Sequence, residues 1–377
     1  MNDLLIRGVK LLDTKTGEGR LADVAVENGR IASVAAPSCK AAAGQVLVGE
    51  GLYLFPGFID FHTHLFAHGS TFGMDAERLL SAGVTCAVDM GSAGWVNYPA
   101  FHRCDLEGKR PRLSSYLNIS PIGQPGKGIN EPLKDEVLDL ERIRERLFEY
   151  PKEITGLKVR ISRTIVGELG LRPLRRALEF GEALGLPVCV HTTDPPEQAK
   201  EAAALLRPGD VYSHMYHGKG NTILDKHGKV QEALFKAQER GVLMEVGNGR
   251  VNFDFPVAEQ AVSQGLWPDI ISSDATPATF HKEPAMWDLP RVMSKFLMLG
   301  MPLPEVIRAV SETPAKRLGI ETETGRIQEG YRADLTLCRL KEGEIRFWDC
   351  AGNERAGNLE ILPVMTILNG EIVYRND

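Results

Sequence analysis

The chain has 377 residues, of which 43% are hydrophobic, and its formal net charge is −6. This length allows a large core, and the balanced composition is typical of a globular enzyme. The mild negative charge argues against a nucleic-acid partner, because binding to nucleic acid needs a basic face. No window approaches the roughly 18 apolar residues of a membrane span, so no membrane partner is expected either.

The cysteines of the chain are far apart in sequence and form no Cys-x-x-Cys pair: Cys39, Cys86, Cys104, Cys189, Cys338 and Cys350. We therefore expect reduced thiols rather than a disulfide framework or a zinc ribbon. The N-terminal residues lack the basic region and the long apolar run of a signal peptide. Together these features predict a cytoplasmic protein.

Both ends of the chain are rich in strand-like runs. The first part contains Leu4–Leu12, Ala22–Glu27, Ile31–Ala35 and Gln45–Val48, and the last part contains Asp334–Cys338, Ile345–Trp348 and Val364–Tyr374. Asn28-Gly29 and Asn369-Gly370 are typical two-residue hairpin turns. We predict that residues 1–56 and 321–377 together form a small β-sandwich domain.

Residues 57–320 alternate between short apolar runs and periodic, charge-bearing segments. The apolar runs are Phe58–Phe61, Val84–Val88, Leu113–Ile119, Ile154–Ile161, Pro187–Val190, Val211–Tyr212, Val242–Val246 and Ile270–Ser272. The helical segments are Leu138–Tyr150, Leu171–Leu184, Pro195–Leu206, Val230–Arg240 and Pro256–Gln264. Strands that alternate with helices predict an α/β protein with a (β/α)8 TIM-type barrel. The loop Pro121–Pro132 is long enough to cover a site.

Polar residues follow several of the predicted barrel strands, at the ends where such barrels carry their functional groups. His62 and His64 end the first strand, and alternation along a strand points both imidazoles the same way. The later strands contribute Lys158, Arg160, His191, His214 and Asp274. Imidazoles and a carboxylate that converge in this way predict a site for divalent metal ions.

Each of these residues also has a purely structural explanation. His191 or His214 alone could be a hydrogen-bonded core histidine, and Lys158 could extend along the barrel rim. Asp274 could be a helix N-cap or a turn residue. The convergence of all of them favours the metal site over these separate explanations.

Lys158 needs its own account, because an ammonium group beside two divalent cations would be repelled. A buried lysine readily loses its proton, and the neutral amine can then add carbon dioxide to become a carbamate. The carbamate oxygens could bridge two metal ions in a paired-metal hydrolytic site. The sequence therefore suggests a carbamylated Lys158.

The segment Pro56–His64, the lysine, the later histidines and the aspartate together resemble the amidohydrolase superfamily. The resemblance is strongest to its binuclear-metal branch, which includes dihydroorotases, hydantoinases and D-aminoacylases. Gly325–Leu335 is similar to the segment by which that superfamily re-enters its β-sandwich. Asp89–Gly94 and Lys158–Ser162 look like a small amidohydrolase/deacetylase subgroup, related to the dihydroorotases.

This resemblance implies a set of roles for the candidate residues. His62, His64 and Asp274 would hold one metal ion, His191 and His214 the other, and carbamylated Lys158 with a hydroxide would bridge them. Zinc is the expected metal. Asp274 would act as general base and then as general acid when the hydroxide attacks the substrate. The resemblance also implies a homo-oligomer and a small carboxylate substrate that carries an acyl ester or amide, with acetyl expected.

Candidate substrate-binding residues follow from their positions near the strand ends. Arg160 shares a face with Lys158 and could clamp a substrate carboxylate, or it could form a structural ion pair. Weaker candidates are Ser92, Asn118, His217, Asn221, Asn248 and His281. The subgroup often has a Gly-His-Gly where this chain has Gly247-Asn248-Gly249, so Asn248 is a departure that bears on the substrate. Asp60 is expected to support the metal ligands.

Other functions remain open at this point. A cyclic-amide hydrolase of the dihydroorotase or hydantoinase type, or a D-aminoacylase, would use the same ligands with different pocket contacts. A mononuclear deaminase fits less well, because that branch generally lacks the bridging lysine. The alternative from another class is a non-catalytic scaffold, although such proteins usually lack one or more metal ligands.

Overall fold

The computed structural model describes residues 2–13, 17–37, 43–126, 128–284 and 286–376. Within these residues the protein is α/β and contains two β-sheets. Cys39 lies outside the described residues, and the other cysteines are free thiols. No helix in the described part of the chain is both long and apolar enough to cross a membrane.

Strands occur throughout the chain. The first group is β1 (Asn2–Leu12), β2 (Gly19–Glu27), β3 (Arg30–Ala35), β4 (Ala43–Val48) and β5 (Tyr53–Pro56). The central group is β6 (Phe58–Thr63), β7 (Val84–Met90), β8 (Arg112–Asn118), β9 (Ile154–Arg160), β10 (Val188–His191), β11 (Val211–Ser213) and β12 (Leu243–Glu245). The last group is β13 (Leu335–Trp348), β14 (Glu354–Leu368) and β15 (Glu371–Arg375).

Helices lie mainly between the central strands and after them. They are α1 (Tyr98–Phe101), α2 (Leu140–Glu149), α3 (Arg163–Val166), α4 (Arg172–Leu184), α5 (Ala199–Leu205), α6 (Glu232–Glu239), α7 (Phe255–Ser263), α8 (Leu289–Met298), α9 (Leu303–Ala309) and α10 (Glu312–Arg317). Aspartates cap several of them: Asp139, Asp254 and Asp288 each accept a hydrogen bond from a backbone N–H in the first turn of α2, α7 and α8.

The central strands form a parallel sheet in sequence order, from β6 to β12. The segment after α7 lies against both edges of this sheet, since Ile270 makes a parallel bridge to Glu245 and Ala275 makes one to Thr63. Because parallel strands end at the same edge, residues at their carboxyl ends are brought together. This placement is what assembles the site.

The terminal strands of both chain ends form one eight-stranded sheet, in the order β15-β14-β13-β5-β1-β2-β3, with β4 also paired to β1. Most neighbours in it are antiparallel, although β1 is parallel to β4 and β5. The tight turns expected at Asn28-Gly29 and Asn369-Gly370 are confirmed, because all of these residues have positive φ. The sheet has a separate apolar core.

The strands predicted for the C-terminal part are shorter than the strand that the structure contains. Two separate runs, Asp334–Cys338 and Ile345–Trp348, were expected, but one continuous strand, β13, extends from Leu335 to Trp348 and joins them. The intervening residues are largely exposed and therefore lack the alternating apolar pattern of a half-buried strand. They are held in the strand by antiparallel pairing with β14, which has a register shift between Glu342 and Ile345.

Two buried threonine hydroxyls connect the terminal sheet to the chain just before β7. Thr336 Oγ1 donates to the Gly83 carbonyl at 2.7 Å, and Thr366 Oγ1 donates to the Leu80 carbonyl at 2.6 Å. Both hydroxyls are fully buried. These bonds therefore fix the terminal sheet against the beginning of the second strand of the parallel sheet.

We expect Thr336→Val to lower the free energy of unfolding by about 1 kcal/mol, because valine fills similar space but donates no hydrogen bond. Urea denaturation followed by tryptophan fluorescence measures this change. Thr322→Val, at an exposed position, is the matched control and should leave the urea midpoint unchanged. Equal shifts in both variants would contradict the structural role of the Thr336 hydroxyl.

Candidate metal-dependent active site

A cavity of about 210 Å³ opens at the carboxyl ends of the parallel strands. All the predicted metal ligands and Arg160 line it, together with residues that the sequence did not single out. The lining residues are His62, His64, Phe72, Gln124, Lys158, Arg160, His191, His214, Arg250, Val251, Asn252, Asp274, Thr276 and Ala278. The volume suits a small organic molecule.

Asp274 lies against two imidazoles. Its Oδ1 atom is 3.2 Å from His64 Nε2 and 3.7 Å from His62 Nε2. One ligand atom from each of His62, His64 and Asp274 lies within 4.8 Å of the others, and all three residues are buried. Two nitrogens and one oxygen at this spacing can hold a divalent metal ion.

The Nδ1 atoms of three of the histidines, His62, His64 and His214, each lie against an oxygen of a nearby residue. His214 Nδ1 donates to the Gly247 carbonyl at 2.8 Å, and this assigns the lone pair to Nε2, because a carbonyl can only accept. Ser92 Oγ lies 2.9 Å from His64 Nδ1, and Glu245 Oε2 lies 3.3 Å from His62 Nδ1. Such contacts orient imidazoles for metal binding through their other nitrogen.

The remaining imidazoles lie close to this group. The ring centroids of His191 and His214 are 4.3 Å apart, and those of His62 and His214 are 4.8 Å apart. His214 and Asp274 have φ values of 67° and 53°, which are uncommon for residues with a side chain. Strained backbone of this kind is concentrated at functional sites, where the surrounding structure holds it in place.

Burial governs the protonation of the imidazoles. It lowers the pKa of His214 to about 3 and holds the pKa values of His62 and His191 well below the usual range. These imidazoles are therefore neutral at pH 7, the form that binds a metal ion.

The carboxylates of the site respond to burial differently. Burial alone would raise the pKa of Asp274, but His62 and His64 outweigh it and the net pKa is well below normal. Burial raises the pKa of Glu245. Asp60 contacts the residue before Asp274: it accepts a hydrogen bond from the Ser273 backbone N–H at 3.0 Å, and burial nevertheless raises its pKa to about 7.

Lys158 is fully buried, and its Nζ donates to Cys189 Sγ at 3.4 Å. Gly91, with φ of +83°, packs against the lysine stem: a Cβ at Gly91 would lie 2.6 Å from Lys158 Cγ. This close approach explains a glycine at the end of β7. Lys158 faces the cavity together with the histidines.

Arg160 is bound to a carboxylate of the chain. Its Nε and Nη2 atoms donate to the two oxygens of Glu131 at 2.8 and 2.7 Å, and the Glu131 side chain is 1% exposed. Glu131 belongs to the long loop that follows β8, and Gln124 of the same loop lines the cavity. This loop therefore contributes to the cavity wall, and the ion pair joins it to β9.

The loop after β12 supports Asp274 from the other side. Asn252 Nδ2 donates to Asp274 Oδ2 at 2.8 Å, and Thr193 Oγ1 donates to Asn252 Oδ1 at 2.8 Å. A Cβ at Gly249 would lie 2.1 Å from Asp274 Oδ2, so only glycine allows this approach. The Asp274 carboxylate is therefore fixed by contacts to both of its oxygens.

The weaker candidates for substrate binding lie outside the cavity lining. Ser92 is buried and contacts His64, while Asn118 donates to the Gly91 carbonyl at 3.1 Å. Asn248 Oδ1 accepts from Lys295 Nζ at 2.9 Å. His217 is buried, and its Nε2 has no hydrogen-bond partner among the described residues.

Two further candidates lie in loops. Asn221 Nδ2 donates to the Pro195 carbonyl at 3.3 Å. The His281 ring stacks between Phe280, at 4.2 Å, and Trp287, at 5.1 Å. His281 is thus held in an aromatic stack and does not belong to the cavity lining.

The sequence patterns did not identify some residues of the site. Glu245 is a fully buried carboxylate inside the apolar run Val242–Val246, and that unusual placement was the available signal. Asn252 and Arg250 follow two glycines in a loop, and Glu131 lies in another. Their contacts depend on loop conformation, and no periodic pattern in the sequence could reveal them.

Comparison with known proteins agrees with this geometry. Residues 53–373 match the amidohydrolase family. A deacetylase of Agrobacterium fabrum is 34% identical over 86% of this chain and 80% of its own length. A deacetylase of Enterococcus faecalis is 30% identical over 98% of both chains.

Solved structures are similar over the whole chain. The crystal structure of an adenine deaminase is 29% identical with a TM-score of 0.91, and it covers 100% of both chains. That of a dihydroorotase is 30% identical with a TM-score of 0.90, over 100% of this chain and 98% of the other. The resemblance inferred from the sequence motifs is thus confirmed. The chain belongs to the amidohydrolase family, and it is a hydrolase.

Proposed function

We propose that this protein is a binuclear zinc-dependent deacetylase that cleaves an acyl ester or amide, most simply an acetyl group, from a small carboxylate substrate. The observation that carries the proposal is the convergence of His62, His64 and Asp274 with the other predicted ligands around one small cavity. The deacetylase names of two relatives that align over most of the chain support the acyl group.

The donor set fits two metal ions. His62, His64 and Asp274 would hold the first, and His191 and His214 the second, while carbamylated Lys158 would contact both. Neutral imidazoles with fixed Nδ1 partners are suitable ligands. When bound, the metal pair would supply an activated water and polarise the acyl carbonyl.

The chain's own residues would move the proton. Asp274 is ionised at neutral pH, because His62 and His64 lower its pKa, and it can therefore accept a proton from water. Asn252 and His64 hold its two oxygens, so the carboxylate keeps one orientation. The same group would then pass the proton to the leaving nitrogen or oxygen of the substrate.

The proposal includes a finer description of the fold. Residues 57–320 would form a closed (β/α)8 barrel, which the bridges of Ile270 and Ala275 to both sheet edges support. Residues 1–56 and 321–377 would form the accompanying β-sandwich domain. The cytoplasmic location expected from the sequence belongs to the same proposal.

A cyclic-amide hydrolase is the second candidate, and the similarity to the dihydroorotase structure favours it. An assay of the purified enzyme distinguishes these two candidate functions. The substrates are both enantiomers of O-acetyl and N-acetyl acids, together with dihydroorotate and hydantoins. Turnover of acetylated acids alone is the expected result. Turnover of the ring substrates alone would contradict the deacetylase proposal.

We expect Asp274→Asn to lower kcat by about 10²- to 10⁴-fold, the usual contribution of general acid–base catalysis. Steady-state kinetics on the best acetylated acid measures the loss, and circular dichroism should show an intact fold. Asp135→Asn, at an exposed carboxylate, is the matched control. A variant at Asp274 with near-native kcat would contradict its role in proton transfer.

Lys158 is expected to carry carbon dioxide as a carbamate. The amine nitrogen would attack the carbon of carbon dioxide and release one proton, which leaves an anionic group at the site. Protein equilibrated with ¹³C-labelled bicarbonate should show a carbamate signal by NMR, and Lys158→Met should abolish it. Lys295, which is also buried, remains in that variant and serves as an internal control. A signal that persists in Lys158→Met would contradict the assignment.

Glu245 is expected to orient His62 rather than to hold metal directly, because His62 directs its other nitrogen towards Asp274. Glu245→Gln should weaken metal retention by about 10- to 100-fold, as changes behind metal ligands typically do. Dialysis against a chelator followed by metal analysis measures this. Glu153→Gln, where a glutamate faces His102 Nδ1 away from the cavity, is the control. Equal retention in both variants would show that Glu245 does not support the site.

A further inference from the structure

Arg160, the side chain expected to bind a substrate carboxylate, already forms an ion pair within the protein. Both oxygens of Glu131 accept from the Arg160 fork, at 2.8 and 2.7 Å, in the bidentate geometry that a substrate carboxylate would need. Arg160 is 18% exposed and Glu131 only 1%, so separating them would leave a buried carboxylate unpaired. A substrate would therefore have to compete with a carboxylate that the fold holds in place.

Another cation lines the same cavity. Arg250 is exposed, and it forms no ion pair with any residue that the structure describes. The other basic residue of the lining, Lys158, is buried against Cys189, and as the proposed carbamate it would carry negative charge, so it could not bind a carboxylate.

The backbone around Arg250 is fixed beside Asp274. The Gly249 N–H donates to the Ser273 carbonyl at 2.9 Å, immediately before Arg250. Asn252, two residues after it, donates to Asp274 Oδ2 at 2.8 Å. The backbone of Arg250 is therefore held in place, while its guanidinium group remains accessible to a ligand.

The rest of the lining indicates the shape of the bound acid. Phe72, Val251 and Ala278 present apolar surface in the same cavity. A small molecule with an apolar body would fit against them, with its carboxylate directed to the exposed side and its acyl bond towards Asp274. The volume of about 210 Å³ limits the size of such a molecule.

We infer that Arg250, rather than Arg160, binds the carboxylate of the substrate and selects for small acylated acids with an apolar body. This inference rests on the proposed acyl hydrolysis at the same site. Arg250 can form two parallel N–H···O bonds to a carboxylate without breaking any ion pair. Arg160 has the separate role of holding the loop that follows β8 through Glu131.

The test compares an acetylated acid with its neutral methyl ester, using the metal-loaded enzyme and single variants. Arg250→Gln should reduce the kcat/KM preference for the acid over its ester by about 10- to 100-fold, as expected when a charged hydrogen-bond partner is lost. The loss should appear in KM, and Arg250→Lys should restore part of it. Inhibition by the deacetylated acid should weaken in parallel, which reports binding without turnover.

Two controls make the outcome specific. Arg175→Gln, at an exposed position on α4, should keep the full preference for the acid. Arg160→Gln should keep that preference too, while lowering the thermal midpoint because Glu131 loses its partner. A preference lost in Arg160→Gln but kept in Arg250→Gln would overturn the inference. Hydrolysis of neither compound by the unaltered enzyme would instead count against the proposed function itself.

Discussion

The site depends on a buried carboxylate that is held against two imidazoles. Asp274 is surrounded by low-dielectric protein, so its charge must be compensated by hydrogen bonds or by nearby positive charge. His64 and Asn252 make contacts to its two oxygens, and the close approach of Gly249 needs a residue without a Cβ. The residues at the strand ends around Asp274 hold this carboxylate in position.

The support extends well beyond the residues that face the cavity. Glu245, Ser92 and the Gly247 carbonyl each hold the Nδ1 atom of a different histidine. Each of these oxygens comes from the carboxyl end of a strand of the parallel sheet or from the loop that follows one. An arrangement of this kind positions ligands before a metal ion binds, which reduces the reorganisation that binding requires.

The α/β class and the grouping of the candidate ligands around one cavity could be predicted, because they follow largely from periodicity. His62 and His64 share a face by strand alternation, and the parallel strands β10 and β11 bring His191 and His214 to one edge of the sheet. Asp274 lies in the segment expected to be the eighth strand, which makes only isolated parallel bridges to Glu245 and Thr63 instead of a continuous strand. The asparagine–glycine turns were equally predictable, because their residues tolerate positive φ.

What could not be predicted depends on contacts between distant parts of the chain. The Arg160–Glu131 pair needs the path of a long loop, and β13 continues through polar residues only because β14 pairs with it. Glu245 was hidden in an apolar run, where a carboxylate is stable only with partners that the tertiary structure supplies. Arg250, the residue proposed to bind the substrate carboxylate, also lies in a loop, so a sequence pattern indicates the chemistry more firmly than the substrate.

Anomalous X-ray diffraction from crystals of the zinc-loaded protein tests the central claim most directly. The account predicts two zinc peaks inside the cavity, one contacting His62, His64 and Asp274 and the other contacting His191 and His214. Zinc found only outside the cavity, or a cavity peak that Asp274 does not contact, would contradict it.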